Sequence, residues 1–190
     1  MYVSLRSAPP RCARGFTTVE LMIALAVLAV LAAIAAPSFQ NMINANRLTT
    51  AANEIVAGLN TARMEAIKRN AYTQFCSNSA TTNTSDTLGT ACNTNSGVVL
   101  VQLTPASTAT VFGVPPDLQL PVQISGTFAA IRFHGDGLGY APGSTTPYSD
   151  TATTALADIC TTALSSNNHI KIQLATGSII TSTTSTATCP

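Results

Sequence analysis

The chain has 190 residues, 46% of them hydrophobic and only 9% charged, a length that suits one domain of moderate size plus an appendage. Lys and Arg number 9 against 8 Asp and Glu, for a formal net charge of +1. That near-balance excludes the broad basic excess with which nucleic-acid binders neutralise phosphates.

Arg6, Arg11 and Arg14 precede an almost unbroken apolar run from Phe16 to Ala36. Roughly 21 residues at about 1.5 Å each cover roughly 30 Å, the thickness of a hydrocarbon core. The arginines place the N-terminus on the cytoplasmic side, with the remainder across the membrane. A cleaved signal peptide, with small residues at Ala33 to Ala36 as its cut site, and a plain signal anchor are the competing readings. A lipoprotein is excluded because Cys12 precedes the run instead of following it.

Glu20 argues against both competing readings. A carboxylate within hydrocarbon costs a few kcal/mol and calls for a partner. A cut between Gly15 and Phe16 would create one: a free amine one helical turn from Glu20, on the same helix face. The amine of a neighbouring subunit would serve equally and set axial register.

The run Arg14-Gly15-Phe16-Thr17-Thr18-Val19-Glu20-Leu21-Met22-Ile23-Ala24-Leu25 resembles the class III signal of type IV prepilins and type II secretion pseudopilins. The resemblance implies that a prepilin peptidase cuts after Gly15 and N-methylates Phe16, and that Glu20 is the assembly carboxylate. It further implies the inner membrane and other pilin or pseudopilin subunits as partners, and no cofactor.

Pro37 closes the apolar run. Proline removes a backbone donor and kinks a helix, and a plain helix boundary is the alternative reading. From Ser38 to about Asn70 the pattern is that of an amphipathic helix. Leu48, Ala52, Ile55, Leu59, Ala62 and Ala66 form one stripe, widened by Ile43, Val56 and Ile67. Glu65 and Arg69 are spaced to pair. The stripe is too short and alanine-rich for a coiled coil, so it is expected to pack on the chain's own sheet.

The remainder is punctuated like an antiparallel β domain, rich in Thr, Ser, Ala, Asn and Gly. Strands are expected at 71–76, 97–103, 110–113, 122–125 and 129–133, with a final hairpin of 169–174 and 178–181. Segments 81–95 and 142–156 read as loops. These elements make the expected class α+β, and the resemblance implies a type IV pilin-like fold: a long N-terminal helix packed on an antiparallel β-sheet head. Its organisation is a leader over 1–15, a transmembrane or filament-core helix over 16–37, an amphipathic helix over 38–70, and a periplasmic β-rich head over 71–190.

Five cysteines are present. Cys12 leaves with the leader if it is cut, and Cys76, Cys92, Cys160 and Cys189 remain for an exported domain. Four cysteines allow three pairings, of which Cys76–Cys92 with Cys160–Cys189 is preferred. The first closes a loop of about 15 residues, worth roughly 3 kcal/mol in the chain-entropy model. No CxxC or paired-His spacing supports zinc, and no metal site is assigned. His134 lies beside Asp136 in a glycine-rich turn. No nucleophile elbow accompanies them, and a lone carboxylate between glycines is a weak calcium ligand. No catalytic residue is assigned.

Within the helix, Asn46-Arg47-Leu48, Ala51 to Glu54 and Ala62-Arg63-Met64-Glu65-Ala66-Ile67-Lys68-Arg69-Asn70 are similar to the GspH/FimT family of pseudopilins and minor pilins. Ile131-Arg132-Phe133 with Gly135 or Gly137 resembles a later element of that family. The resemblance implies a minor pilin that initiates or caps a type IV pilus, or a type II secretion pseudopilin at the tip of a periplasmic filament. A DNA-binding branch carries Gly-Arg-x-Arg near its last hairpin. Here Gly177-Ser178-Ile179-Ile180 has no arginine and Thr181 to Pro190 is uncharged, so nucleic acid is not expected as a partner. An anchored adhesin would show a groove or patch on the head, and an enzyme would need an acid/base group in a pocket at His134.

Overall fold

The computed structural model describes residues 15–151 and 154–190; of the segment expected as a leader over 1–15 only Gly15 is included, and Cys12 lies outside the described residues. The chain divides after Gln40 into two compact units. Helix α1 (Thr18–Arg69) supplies residues to both.

In the first unit, Thr17 starts the helix. Its Oγ1 accepts from the Glu20 N–H at 3.2 Å, and its carbonyl accepts from the Leu21 N–H at 3.1 Å. This is an N-cap, which satisfies a backbone donor the first turn leaves unpaired. From Leu21 to Ala36 every side chain is apolar and exposed, and the helix is long and apolar enough to cross a membrane. The helix does not end at Pro37 but runs through it. Proline forfeits one backbone hydrogen bond there, and the strong helix formers preceding it keep the helix intact.

In the second unit, Leu48, Ala52, Ile55, Leu59, Ala62 and Ala66 are all buried, and Ala51 and Gly58 join them. Gly58 has a packing reason: a Cβ there would stand 3.3 Å from the Phe112 ring and 3.4 Å from Phe75. The wider stripe needs correction. Val56 packs on the core, but Ile43 and Ile67 are 37% and 50% exposed. Ile43 precedes the first buried position at Leu48, and Ile67 covers Gly137 from outside the core. Glu65 pairs with Arg69 at 2.5 Å and with Lys68 at 3.6 Å on the exposed face.

Two antiparallel sheets hold the other side of the core. The first, in the order β3-β2-β1-β5-β6, comprises β1 (Thr73–Phe75), β2 (Val99–Thr104), β3 (Ser107–Phe112), β5 (Ile131–Phe133) and β6 (Gly139–Tyr140). The second, in the order β4-β7-β8-β9, comprises β4 (Val122–Ile124), β7 (Ala157–Thr161), β8 (His169–Ala175) and β9 (Ile179–Ser185). Phe75, Val99, Ile131 and Phe133 from one sheet meet Ile159, Ile172 and Leu174 from the other in one cluster with α1. Thr73 Oγ1 also donates to the Ala62 carbonyl at 2.8 Å, bonding β1 to the helix.

The segment expected as a loop over 81–95 instead folds into two short helices, α2 (Ala80–Asn83) and α3 (Thr87–Cys92). Asp86 caps α3 by accepting from the Gly89 N–H at 2.9 Å. Asn83, fully buried, ties the region down through the Ser77 and Asn93 backbone. β6 and β7 were not expected. The 142–156 segment lacks helix and strand apart from a bridge between Tyr140 and Pro147, among its described residues. Asp150 anchors it, its Oδ2 accepting from the Leu156 and Leu174 N–H groups at 2.9 and 2.8 Å.

Candidate functional site

The residues expected to carry processing and assembly are placed at the start of α1. Gly15, Phe16 and Thr17 lie outside the helix. Phe16 is 81% exposed, and nothing lies within 4 Å of where a side chain on Gly15 would begin. The Gly15–Phe16 bond is thus in non-helical, accessible chain directly ahead of an apolar helix. Glu20 falls in the first turn, where the partial positive charge of the helix N-terminus favours a carboxylate. Its side chain makes no hydrogen bond or ion pair among the described residues, so its charge is unspent. The residue missed by sequence reasoning is Thr17. Thr17-Thr18-Val19-Glu20 is the Thr-x-x-Glu spacing of a capping box, a start signal that was legible beforehand.

The four cysteines of the head form two bonds, Cys76–Cys92 and Cys160–Cys189, across sequence separations of 16 and 29. The first joins β1's end to α3 and belongs to a small second core with Leu88, Val98 and Leu100. The second ties the C-terminal segment to β7. Both sulfurs of Cys160 and Cys189 and one imidazole nitrogen of His169 lie within 4.8 Å of one another. With the sulfurs bonded together, that group is a disulfide with an imidazole beside it.

His134 sits between two tyrosines, edge-on to Tyr72 at 4.7 Å and stacked on Tyr140 at 4.3 Å. Burial pushes its pKa below the ordinary value, opposed by the nearby Asp136 charge. Asp136 does not orient the ring: its oxygens accept from the Leu138 N–H and the Tyr140 hydroxyl, both at 2.9 Å. Those bonds, the backbone one foremost, hold the Asp136 carboxyl below its usual range. His134 and Tyr72 also line an open groove of about 520 Å³ with Asn70, Gln102 and Thr104, none of them charged.

The final hairpin turns through Thr176 and Gly177, both with positive φ (51° and 70°), and closes with the Ser178 N–H on the Ala175 carbonyl at 3.0 Å. Arg63 reaches this turn from α1 and donates to the Ser178 carbonyl at 3.1 Å.

The family described as type II transport protein GspH matches residues 51–177, and the prokaryotic N-terminal methylation motif matches residues 10–36. Two proteins of Moraxella bovis are similar over 45 residues at 44% identity: a type IV major alpha-pilin and fimbrial protein Q. Those 45 residues are 24% of this chain and 28% and 29% of the two relatives' lengths. No solved structure matches.

Proposed function

The chain belongs to the GspH family, and from that premise we propose that it is a minor pilin or pseudopilin: a membrane-anchored structural subunit that initiates or caps a type IV pilus. The observation that carries the proposal is the N-terminal arrangement. A bond outside the helix, Gly15–Phe16, is followed by a capped helix start, a carboxylate in the first turn, and an apolar, exposed helix. A prepilin peptidase cutting there exposes the amine of Phe16 and methylates it. The amine and Glu20, of the same or a neighbouring subunit, then neutralise each other in low dielectric, which favours entry into a filament. The leader arginines keep the N-terminus cytoplasmic, and the head folds in the periplasm, where disulfides persist.

Expressing the precursor with and without a prepilin peptidase tests this. Mass spectrometry should then show a chain that begins with N-methylated Phe16 only when the peptidase is present. An intact chain, or a cut near Ala36, would overturn the reading.

The family's own description favours a second reading, a type II secretion pseudopilin at the tip of a periplasmic filament. Deleting the chain separates the two: lost surface filaments mark a pilus subunit, and lost export of folded proteins marks the secretion subunit. An anchored binding module would use the groove at Tyr72 and His134. Nucleic acid is not proposed as a partner, because the last hairpin carries no arginine of its own and Arg63 is spent on the Ser178 carbonyl.

A further inference from the structure

We propose that His169, held by Asp158, is a general acid–base residue for opening and closing the Cys160–Cys189 disulfide, making this bond a thiol–disulfide exchange site. The antiparallel register sets Cys160 on β7 directly opposite His169 on β8. His169 is only 2% exposed, and its Nδ1 lies 3.0 Å from Asp158 Oδ1. A carboxylate can only accept, so Nδ1 carries a proton, and in the neutral ring the lone pair is on Nε2. Nε2 is buried with no hydrogen-bond partner among the described residues. Buried polar atoms are normally satisfied, and an exception calls for a reason. The sulfur pair is the neighbour that offers one, because an imidazole nitrogen of His169 lies within 4.8 Å of both sulfurs.

The surroundings leave this imidazole as the proton acceptor of the site. From β7 the charged group facing His169 is Asp158; on β8 itself, Lys171 lies two residues along and opposite Asp158. β9 presents Ser185, directly across from His169, whose Oγ is also buried and unpartnered. β4 presents the uncharged Gln123, whose Nε2 donates to Cys189 Sγ at 3.1 Å and to the Pro190 carbonyl. An N–H donor on sulfur stabilises a thiolate.

The two sulfurs have unequal access. Cys160 is fully buried and Cys189 half-buried, so an incoming dithiol reaches Cys189. One thiol of the reductant gives its proton to His169 Nε2 and attacks Cys189 Sγ. The Cys160–Cys189 bond breaks, Cys160 leaves with the bonding pair, and His169 hands it the proton. The reductant's second thiol then displaces Cys189 from the mixed disulfide. The protein gains two electrons and two protons, and the dithiol becomes a disulfide. Closure is the reverse, with a disulfide as oxidant. Thiolates are the reactive species, and a free thiol of pKa about 8.5 is mostly protonated at neutral pH, which is the deficit the imidazole supplies. The outcome is a bond that pins or frees the segment after β9.

The test uses the full chain, folded and oxidised, in detergent micelles. Dithiothreitol is added from pH 6 to 9, samples are acid-quenched and alkylated, and each disulfide is followed by mass spectrometry. Cys76–Cys92 is the internal control for the reductant's own titration. In His169→Gln the opening of Cys160–Cys189 at neutral pH should slow about tenfold and its pH dependence steepen, with Cys76–Cys92 unchanged. An unchanged rate and profile overturns the proposal, as does equal slowing or quickening of both bonds, which would mark a structural effect. Asp158→Asn serves as a second variant should His169→Gln fail to fold. As a positioning residue it should slow opening several-fold and shift the pH profile, and a folded Asp158→Asn with wild-type kinetics overturns the proposal.

Discussion

At the scale of single residues, Glu20 is the position where charge and environment conflict most. Its side chain is exposed on an apolar segment and lies in the first helical turn, four residues after Phe16. On the proposed function, Glu20→Ala should leave the proposed cut at Gly15 unchanged, because the bond lies outside the helix, yet sharply reduce filament number counted by electron microscopy. Normal filament number would remove the assembly role. His134 is the corresponding residue in the head. Burial between Tyr72 and Tyr140 holds its pKa below 6.5 in the folded state. Above about pH 6.5 both states are neutral there; as pH falls through that value the unfolded chain binds a proton that the folded chain refuses. Stability should therefore fall from about pH 6.5 down to the depressed folded value. His134→Phe keeps the aromatic stack and should flatten that part of the curve in thermal melts at about pH 7 and 5. Asp86 loses stability in a separate, more acidic window, because Arg132 holds its carboxyl below 3.8 and that support goes as pH falls through the folded value. An undiminished drop between about pH 7 and 5 in His134→Phe would mean other groups carry it.

At the scale of elements, α1 supports a sharp contrast. Leu59 is fully buried among both sheets, while Met64, a turn and a half later, is 68% exposed. Leu59→Ala should cost about 2–5 kcal/mol, and Met64→Ala should stay within about 0.5 kcal/mol, read as shifts of the urea midpoint at constant slope. Equal costs would mean the helix presents a different face to the core. The same contrast shows what was legible beforehand. The spacing of Leu48, Ala52, Ile55, Leu59, Ala62 and Ala66 located the core face because it depends only on helical period. Long alternating strands were also legible, as in β8, which is buried at His169, Ile170, Ile172 and Leu174. β7 was not: Ala157-Asp158-Ile159-Cys160-Thr161 has an acidic residue near its start, and its strand character comes from β4 and β8 on either side. The α2–α3 helices were hidden by Ser, Thr, Asn and Gly, which read as loop unless a bond such as Cys76–Cys92 gathers them. At the N-terminus, Glu20 stood out because a carboxylate in an apolar run has no bland explanation, while Gly15 and Phe16 entered with the proposed cut and the resemblance to prepilins. His169 could not, because Asp158 is 11 residues away and both cysteines are distant in sequence until the strands align.

At the scale of the molecule, the two units differ in how they treat apolar surface. The unit from Asn41 to Pro190 gathers large side chains from α1 and both sheets into one buried core and is closed by two disulfides. The first unit buries none of its apolar run: Leu21, Ile23, Leu25, Leu28, Leu31 and Ile34 are all 55–69% exposed. Contiguous apolar surface of that extent is not kept against water and marks a membrane or a protein partner. The two units should therefore part company in solution. The full chain should sediment with membranes and require detergent. A chain that begins at Asn41 should be soluble and monomeric by size-exclusion chromatography, and should melt within a few degrees of the full chain in detergent. This follows because the first buried residue of the helix is Leu48, so the truncation removes no core side chain. Aggregation of the shortened chain, or a large fall in its melting temperature, would show that residues before Asn41 stabilise the head. The apolar helix would then be part of the fold in addition to being an anchor. Retained stability would leave that helix free to change its surroundings, from bilayer to filament core, without disturbing the head it carries.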